Sequence, residues 1–348
     1  MGSQKPYILV DTAEGLESYI PILTSALQGS TPNPSALDIS DIIISHWHRD
    51  HIGGLSSVLS LLKILWIGRN HGKEAEYQGP KVHKYPLDKT KAGEHLGPHN
   101  VIPAIEKTLH KSLYTTAPDG SIFHDLYDRQ TFVNKGITVL EVLHTPGHTV
   151  DSICLYLPLD RALYTADTVL GHGTAVFEDL AEYMTSLNKI LKYNGSTSAS
   201  SSSASSLSSP ATENQDETKA KSEYDILLPG HGAVLTNGPE TIATYIKHRL
   251  EREVQIVEIL RTPVPVEFQL ETPNPADVEQ RWTIWNLVRS IYKSYPENLW
   301  LPATRSVYLH LKKLEGEGFV RRVGGGEGKD TMWELIPILS SSVTSSSL

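Results

Sequence analysis

Four side chains that commonly bind metals stand close together near the start of the chain. His46, His48, Asp50 and His51 fall within six residues, directly after the apolar run at 42–44. Polar groups so crowded are costly to bury without a partner. A divalent cation is such a partner, because neutral imidazoles and carboxylates are its usual ligands. The motif therefore indicates a metal site, with a solvated, histidine-rich loop as the alternative.

Three further candidate ligands occur later in the chain, each after an apolar, strand-like segment. His148 closes the sequence His-Thr-Pro-Gly-His, Asp167 ends the segment 162–167, and His231 lies in Pro-Gly-His-Gly. Strand ends on one edge of an α/β fold can converge on one cleft. Because a single zinc ion takes about four ligands, seven candidates suit two ions that share a carboxylate and a water. The sequence therefore predicts a dinuclear site.

The elements that must position these residues alternate between strands and helices. The first motif lies on a loop between the strand at 42–44 and a helix-compatible segment that extends to Ile64. A short apolar run at 64–67 is predicted to be a further strand. Other predicted strands cover 7–11, 137–143, 152–157, 162–167 and 224–228, and predicted helices cover 14–27, 101–113, 179–192 and 239–260. This order indicates an α/β fold.

Changes in composition divide the chain into parts. Residues 1–262 are predicted to form a catalytic domain, with a Ser-rich insertion at 195–222 that has no periodic apolar face. Such a segment cannot offset its ordering entropy and is predicted to be disordered. A Pro-rich linker, 263–276, precedes a smaller domain, 277–339, in which helical patterns and a β-hairpin signal indicate a winged-helix-like module. Residues 340–348 are predicted to be a frayed tail.

The composition argues against several classes of protein. The net charge of −9 disfavours extended binding to a nucleic-acid backbone. No apolar run reaches membrane-spanning length, and the N-terminus carries no secretory signal. The single cysteine, Cys154, lies in an apolar run and is predicted to be a buried core thiol rather than a nucleophile. Together these features predict an intracellular protein, most simply a cytoplasmic one.

The spacing of the motifs resembles that of the metallo-β-lactamase superfamily. The matching parts are the H-x-H-x-D-H motif, the H-T-P-G-H motif, Asp167 and the P-G-H-G motif. The resemblance implies a four-layer αββα sandwich with two metal ions that activate a water as the nucleophile. The implied ligands are His46, His48 and His148 for the first ion, Asp50, His51 and His231 for the second, and Asp167 as the bridge. Asp50 is also implied to be catalytic. Two zinc ions are expected, with manganese or iron as alternatives, because the ligands include no thiolate.

Three segments resemble one branch of this superfamily, the lactamase-beta-2-like proteins: 46–51, 171–180 and 307–315. That branch includes fungal thioesterases, which release aromatic polyketides from an acyl carrier protein, and mitochondrial endoribonucleases. The resemblance covers nearly the whole chain except the Ser-rich insertion. Family members, however, carry some tens of residues before the strand that 9–13 matches here. The expectation is therefore either a truncated gene model or a first sheet that lacks an edge.

The resemblance predicts a dinuclear hydrolase of the thioester between a fungal aromatic polyketide and its acyl carrier protein, within secondary metabolism. A thiolate leaving group needs little protonation, which suits a site without an obvious general acid. The alternatives are a single-stranded endoribonuclease, a glutathione-thioester hydrolase and a non-enzymatic winged-helix nucleic-acid binder. The negative charge argues against RNA, and the complete ligand set argues against a mere binder. The expected partner is the acyl carrier protein; nucleic acid is a partner only in the alternative, and no membrane is expected.

Other polar residues are predicted to have supporting or structural roles. Asp11 is expected to hydrogen-bond a ligand histidine or to cap a turn. His144 is expected to be structural, and His172 either lines the cleft or is structural. Six histidines in weakly patterned segments are expected to be exposed, namely His71, His83, His95, His99, His110 and His124. The last domain has a basic side that is either solvated or in contact with a nucleic acid or a carrier protein; it comprises Arg305, Lys312, Lys313, Arg321 and Arg322.

Overall fold

The computed structural model describes residues 5–29, 33–87, 100–134, 136–193, 222–268, 281–325 and 328–337. The chain forms two compact units, Met1–Ala243 and Thr244–Leu348. The domain limits predicted at 262 and 277 stay predictions. The Ser-rich insertion, except residue 222, lies outside the described residues. So do residues 269–276 of the predicted linker and the whole predicted tail.

The first sheet of the larger unit is entirely parallel. Its strands, in spatial order, are β1 (Tyr7–Val10), β2 (Ile39–Ile44), β3 (Lys81–Lys84) and β4 (Phe123–Asp125). Parallel strands are covered on both faces and therefore read as continuous apolar runs. Ile42, Ile43 and Ile44 are accordingly all fully buried. The strand β2 thus anchors the first histidine motif in a buried part of the fold.

The helices that accompany this sheet in the described part of the chain are α1 (Tyr19–Ala26), α2 (Arg49–Ile52), α3 (Leu55–Arg69) and α4 (Ile102–Thr108). The run at 64–67, predicted to be a strand, is instead the last part of α3, so that prediction was wrong. Four consecutive apolar residues fit either element, and periodicity alone does not separate them. In the structure Trp66 is buried whereas Ile64 is exposed, as on a helix with one covered face.

The segment Arg49–Arg69, which contains α2 and α3, is long and apolar enough to cross a membrane by length and composition. Its apolar side chains are nevertheless packed into the core of the larger unit. Leu55, Val58 and Leu59 are fully buried in one cluster with Ile42 and Ile44 of β2. This packing is that of a core helix, so the segment carries no argument for a membrane span.

The second sheet of the larger unit is mixed. Its strands, in spatial order, are β5 (Thr131–Asn134), β6 (Ile137–His144), β7 (Ile153–Leu157), β8 (Ala162–Ala166) and β9 (Ile226–Pro229). Neighbouring strands are antiparallel except β8 and β9, which are parallel. A buried cluster containing Ile8 and Ile43 of the first sheet and Leu140, Val142 and Leu155 of the second lies between the two sheets.

A fifth helix, α5 (Leu180–Leu191), belongs to the second sheet. The side chain of Asp179 caps it by accepting a hydrogen bond from the backbone N–H of Glu182 at 3.0 Å. Ser186 of α5 donates a hydrogen bond to the carbonyl of Pro146 at 2.7 Å, beside the loop that carries His148. The helices of the first sheet, the two sheets and α5 form the four layers of the predicted αββα sandwich, which is confirmed.

The smaller unit combines helices with a small antiparallel sheet. It contains the C-terminal part of α6 (Gly238–Leu260), then β10 (Trp282–Thr283), α7 (Ile284–Ile291), α8 (Trp300–Gly316), β11 (Val320–Gly324) and β12 (Met332–Leu335). The sheet order is β10-β12-β11. Trp282, Trp333, Leu287, Val307 and Leu311 form its buried core. The predicted β-hairpin is confirmed, and so is the predicted winged-helix-like module.

Candidate metal centre

The seven predicted ligands all lie at or just beyond the ends of four strands. His46 and His48 follow β2, and Asp50 and His51 lie in α2. His148 lies in the loop between β6 and β7, Asp167 follows β8 and His231 follows β9. Two groups of side chains result, each with its ligand atoms within 4.8 Å of one another. One group is His46, His48 and His148, and the other is Asp50, His51, Asp167 and His231.

The first group is a triangle of imidazole nitrogens. Nε2 of His46 lies 3.1 Å from Nδ1 of His48 and 3.2 Å from Nε2 of His148, and Nδ1 of His48 lies 3.0 Å from Nε2 of His148. Nitrogens around one zinc ion stand at about 2.0–2.1 Å from the metal, so in a tetrahedron they lie about 3.4 Å apart. The triangle is close to that spacing.

Burial keeps these imidazoles neutral. It lowers the pKa of His46 well below the ordinary value, and it lowers the pKa of His48 to about 4. Burial likewise lowers the pKa of His148. Nδ1 of His148 donates to the carbonyl oxygen of Val176 at 2.7 Å, since a carbonyl can only accept. Its Nε2 therefore carries the lone pair, which faces the other two rings, as a metal ligand requires.

The second group combines carboxylates with imidazoles. Oδ2 of Asp50 lies 3.0 Å from Nε2 of His231, and Oδ1 of Asp167 lies 3.4 Å from Nε2 of His51. The other oxygen of Asp167, Oδ2, lies 3.5 Å from Nε2 of His231 and 3.7 Å from Nε2 of His148. Asp167 therefore faces ligand atoms of both groups, as a bridging carboxylate would.

Two buried polar atoms in the second group test whether a cation fits there. Nε2 of His51 and Oδ1 of Asp167 are both buried, and neither has a hydrogen-bond partner among the described residues. Orphaned buried polar atoms are rare, because each costs about 1–3 kcal/mol. A cation bound to both atoms would satisfy them. The donor set and this pair of atoms therefore fit a metal ion.

The electrostatics of the second group favour a positive charge at His51. Burial lowers the pKa of His51, but the hydrogen bond to Asp11 and the nearby carboxylate of Asp167 outweigh it and raise the pKa to about 10. Burial raises the pKa of Asp167, but the adjacent imidazole of His51 lowers it below the ordinary value. A metal ion bound to Nε2 would supply positive charge at this position in place of the proton.

The two groups differ in their access to solvent. His46, His51 and His148 are buried, whereas the side chains of Asp50 and His231 are 44% and 48% exposed. The centre is therefore open to solvent on the side of Asp50 and His231.

Gly230 leaves no room for a side chain next to this centre. A Cβ at this position would lie 2.7 Å from Oδ1 of Asp167 and 2.9 Å from Cε1 of His51. We expect Gly230→Ala to displace both side chains and to lower metal affinity by about 10-fold to 100-fold, the range seen when ligand orientation is disturbed. Competition with a chelator measures this affinity. The matched control is Gly68→Ala, at a helical position where a Cβ meets nothing within 4 Å. Wild-type affinity in Gly230→Ala would contradict the expectation.

Other predicted residues lie outside the two groups. His144 stacks on Tyr85 with ring centroids 3.7 Å apart, and its Nε2 donates to the carbonyl of Val150 at 3.0 Å. His172 is exposed. Cys154 is fully buried, which raises its pKa to about 11, so the prediction of a core thiol is confirmed.

The histidines predicted to be exposed differ in their environments. His71 and His110 are exposed, and His124 is half-buried. His83 is buried, and its Nε2 hydrogen-bonds Oδ1 of Asp41 at 2.8 Å, so for this residue the prediction was wrong. Because β3 is short, its sequence pattern is weak and did not indicate that His83 is buried. His95 and His99 lie outside the described residues.

The predicted basic side of the smaller unit is partly neutralised. Lys313 pairs with Glu253 at 3.0 Å and Glu317 at 2.8 Å, and Arg321 pairs with Glu334. Arg305 and Lys312 are exposed on α8, as is Arg322 on β11. The cationic surface is therefore smaller than the five residues suggest.

The sequence offered little sign of several residues that support the centre. Ser45 and Tyr164 both donate hydrogen bonds to Asp11, whose bond to His51 was one of the two expected roles. Lys84 forms a buried ion pair with Asp151, in the loop that follows His148. Their only signal is position, since Ser45 directly precedes His46 and Asp151 lies three residues after His148.

Comparisons with known proteins agree with this geometry. Residues 2–231 match the family described as "Metallo-beta-lactamase superfamily", and residues 283–330 match the "Beta-lactamase associated winged helix domain". A solved structure of a β-lactamase domain protein from Burkholderia ambifaria has the same fold, with a TM-score of 0.57 and 15% identity. That match covers 97% of this chain and 84% of the other.

Two curated relatives have names that bear on function. The chain is 32% identical to "Beta-lactamase-like protein 2 homolog" of Drosophila melanogaster, over 92% of this chain and 82% of the relative. It is 28% identical to "Atrochrysone carboxyl ACP thioesterase" of Aspergillus chevalieri, over 86% of this chain and 68% of the relative. With its two ligand groups and its sandwich fold, the chain belongs to the metallo-β-lactamase superfamily, as a hydrolase with a dinuclear metal site and a winged-helix domain.

Proposed function

We propose that this hydrolase cleaves the thioester that joins a polyketide acyl chain to an acyl carrier protein. The observation that carries the proposal is the pair of ligand groups with Asp167 between them. Fungal relatives named as thioesterases support the choice of substrate, among them "Thioesterase pkgB" of Emericella nidulans, which is 29% identical over 75% of this chain. Zinc is the proposed metal, because the ligands are nitrogen and oxygen atoms without thiolate.

The chain's residues have distinct roles in this proposal. Bound divalent ions supply Lewis-acid chemistry, in that they polarise a carbonyl and make a water more acidic. His46, His48 and His148 stay neutral and hold the first ion. Asp50 is exposed at the solvent side, where its carboxylate can take up the proton that the attacking water loses.

The leaving group explains why a thioester suits these residues. Neither exposed member of the centre, Asp50 or His231, is a dedicated proton donor in this proposal, because both are also assigned as ligands. An alkoxide leaving group requires a proton donor, whereas a thiolate leaves at neutral pH with little protonation. A thioester therefore makes the smallest demand on this set of side chains.

A second candidate on the same metals is a single-stranded endoribonuclease, because the lactamase-beta-2-like branch that the chain resembles includes such enzymes. The Drosophila relative, which is not named as a thioesterase, is more similar in sequence than the Aspergillus chevalieri thioesterase, at 32% against 28% identity. Attack at phosphorus would need cationic contacts to the backbone, and RNA affinity would then fall steeply with salt.

The experiment compares substrates on the purified full chain loaded with zinc. It offers an acyl-carrier-protein thioester, a glutathione thioester and a single-stranded RNA. We expect cleavage of the carrier-protein thioester, and we expect His48→Ala to lower its rate by about 100-fold or more, the loss typical of one electrostatic stabiliser. His71→Ala, at an exposed histidine outside both ligand groups, is the matched control. Cleavage of RNA without thioester cleavage would reject the proposal in favour of the second candidate.

A further inference from the structure

One buried carboxylate collects hydrogen bonds from three parts of the larger unit. Asp11 directly follows β1, with a left-handed backbone at φ 58°. Its Oδ1 accepts from the backbone N–H of Ser45 at 2.7 Å. Its Oδ2 accepts from the hydroxyl of Ser45 at 2.8 Å, from Nδ1 of His51 at 2.8 Å and from the hydroxyl of Tyr164 at 2.6 Å. A turn cap alone would not need four donors.

These hydrogen bonds fix the tautomer of His51 in the second ligand group. A carboxylate can only accept, so Nδ1 of His51 must carry a hydrogen. In the neutral ring the lone pair is then on Nε2, which faces Oδ1 of Asp167 at 3.4 Å. This is the arrangement in which a carboxylate orients a metal-binding histidine.

The same carboxylate reaches the first ligand group through Ser45. The hydroxyl of Ser45 has one hydrogen, and the ionised Asp11 is its strongest acceptor. Its oxygen is then free to accept from Nδ1 of His46, which lies 3.0 Å away. The lone pair of His46 is consequently on Nε2, which faces His48 and His148.

Tyr164 connects this carboxylate to the second sheet. It lies on β8, three residues before Asp167, and it packs against the buried cluster between the two sheets. Its hydroxyl therefore links Asp11, which follows a strand of the first sheet, to β8, the strand that precedes Asp167. Among the described hydrogen bonds, the phenol contacts no residue of either ligand group.

We propose that Asp11, Ser45 and Tyr164 act as one positioning network that couples the two metal-binding groups, so that weakening it lowers the affinity for both ions together. The inference rests on the proposal that the seven residues are ligands. Tyr164 provides the sharpest case, because its hydroxyl donates to Asp11, and Asp11 connects to His46 through Ser45. An independent structural role would leave metal affinity unchanged.

The test removes single hydroxyl groups and measures metal affinity. Zinc stoichiometry after dialysis and stepwise removal by a chelator report on both ions without any substrate. We expect Tyr164→Phe and Ser45→Ala to weaken both ions by about 10-fold to 100-fold, the range for residues that orient ligands. Ser45→Thr keeps a hydroxyl and is expected to restore most of the affinity.

The matched control is Tyr224→Phe. Tyr224 is fully buried and donates to the carbonyl of Ile190 at 2.9 Å, so this variant also removes one buried phenol hydrogen bond but none to Asp11. Its metal affinity should equal that of the wild type. Wild-type affinity in Tyr164→Phe, or a loss confined to one ion, would overturn the coupling. A protein that binds two ions but cleaves no thioester would reject the substrate proposal alone, since this readout is independent of substrate.

Discussion

Replacing Asp167 by asparagine is expected to remove both metal ions and to lower the rate of hydrolysis by about 10⁴-fold or more. The substitution keeps the volume of the side chain but removes the charge, and an amide is a much weaker ligand. Oδ1 of Asp167 faces His51 and Oδ2 faces both His148 and His231, so the second ligand group loses a member and the first loses the carboxylate that faces His148. If each ion contributes about 10²-fold to 10³-fold, as one electrostatic stabiliser does, the combined loss is about 5–8 kcal/mol of transition-state stabilisation.

Metal analysis and initial rates check this expectation together. The matched control is Asp225→Asn, which makes the same chemical change at an exposed carboxylate paired with Arg161. Its metal content and rate should equal those of the wild type. An Asp167→Asn protein that retained two ions and most of its activity would show that this residue is not the bridge.

Replacing Lys84 by methionine is expected to lower the free energy of unfolding by about 3–5 kcal/mol, the usual loss when one partner of a buried ion pair is removed. The side chains of Lys84 and Asp151 are 4% and 0% exposed. Among the described hydrogen bonds, Asp151 would then keep the one from the Thr149 hydroxyl, at 2.7 Å, to offset its buried charge. Urea denaturation of the metal-free protein measures the loss.

A second substitution separates the charge from the packing. In Lys84→Met combined with Asp151→Asn the unpaired charge is gone, so part of the lost stability should return. The control Lys247→Met makes the same change at an exposed pair on α6, with Glu251 3.7 Å away, and should change stability little. A Lys84→Met protein as stable as the wild type would show that the pair contributes nothing.

The ligands themselves were predictable from the sequence because their chemistry is local. Three histidines and an aspartate within six residues have few other uses, and the later ligands each follow a recognisable strand. The convergence of these ligands was also predictable, because the ends of parallel strands meet at one edge of a sheet. The strands that carry His148 and Asp167 were placed to within a residue or two for the same reason.

What supports the ligands could not be predicted, because it depends on contacts between distant positions. Tyr164 and Asp11 are 153 residues apart, and only the packing of the two sheets brings them within 2.6 Å. Lys84 lies in a weakly patterned region of the sequence, and its partner, Asp151, is 67 residues away. The prediction of a strand at 64–67 was wrong for a different reason, because a run of four apolar residues shows no period that separates a strand from a helix.

The ligands come from four strand ends spread over two sheets, and this has a consequence for biosynthesis. While the ribosome is still adding β9, the emerging polypeptide has the early histidine motif but lacks His231, and the second sheet that presents Asp167 is incomplete. Ion capture at full affinity must therefore follow synthesis of the larger unit. Because the ions bind the native form and not its unfolded precursor, metal binding then shifts the folding equilibrium toward the native state by mass action.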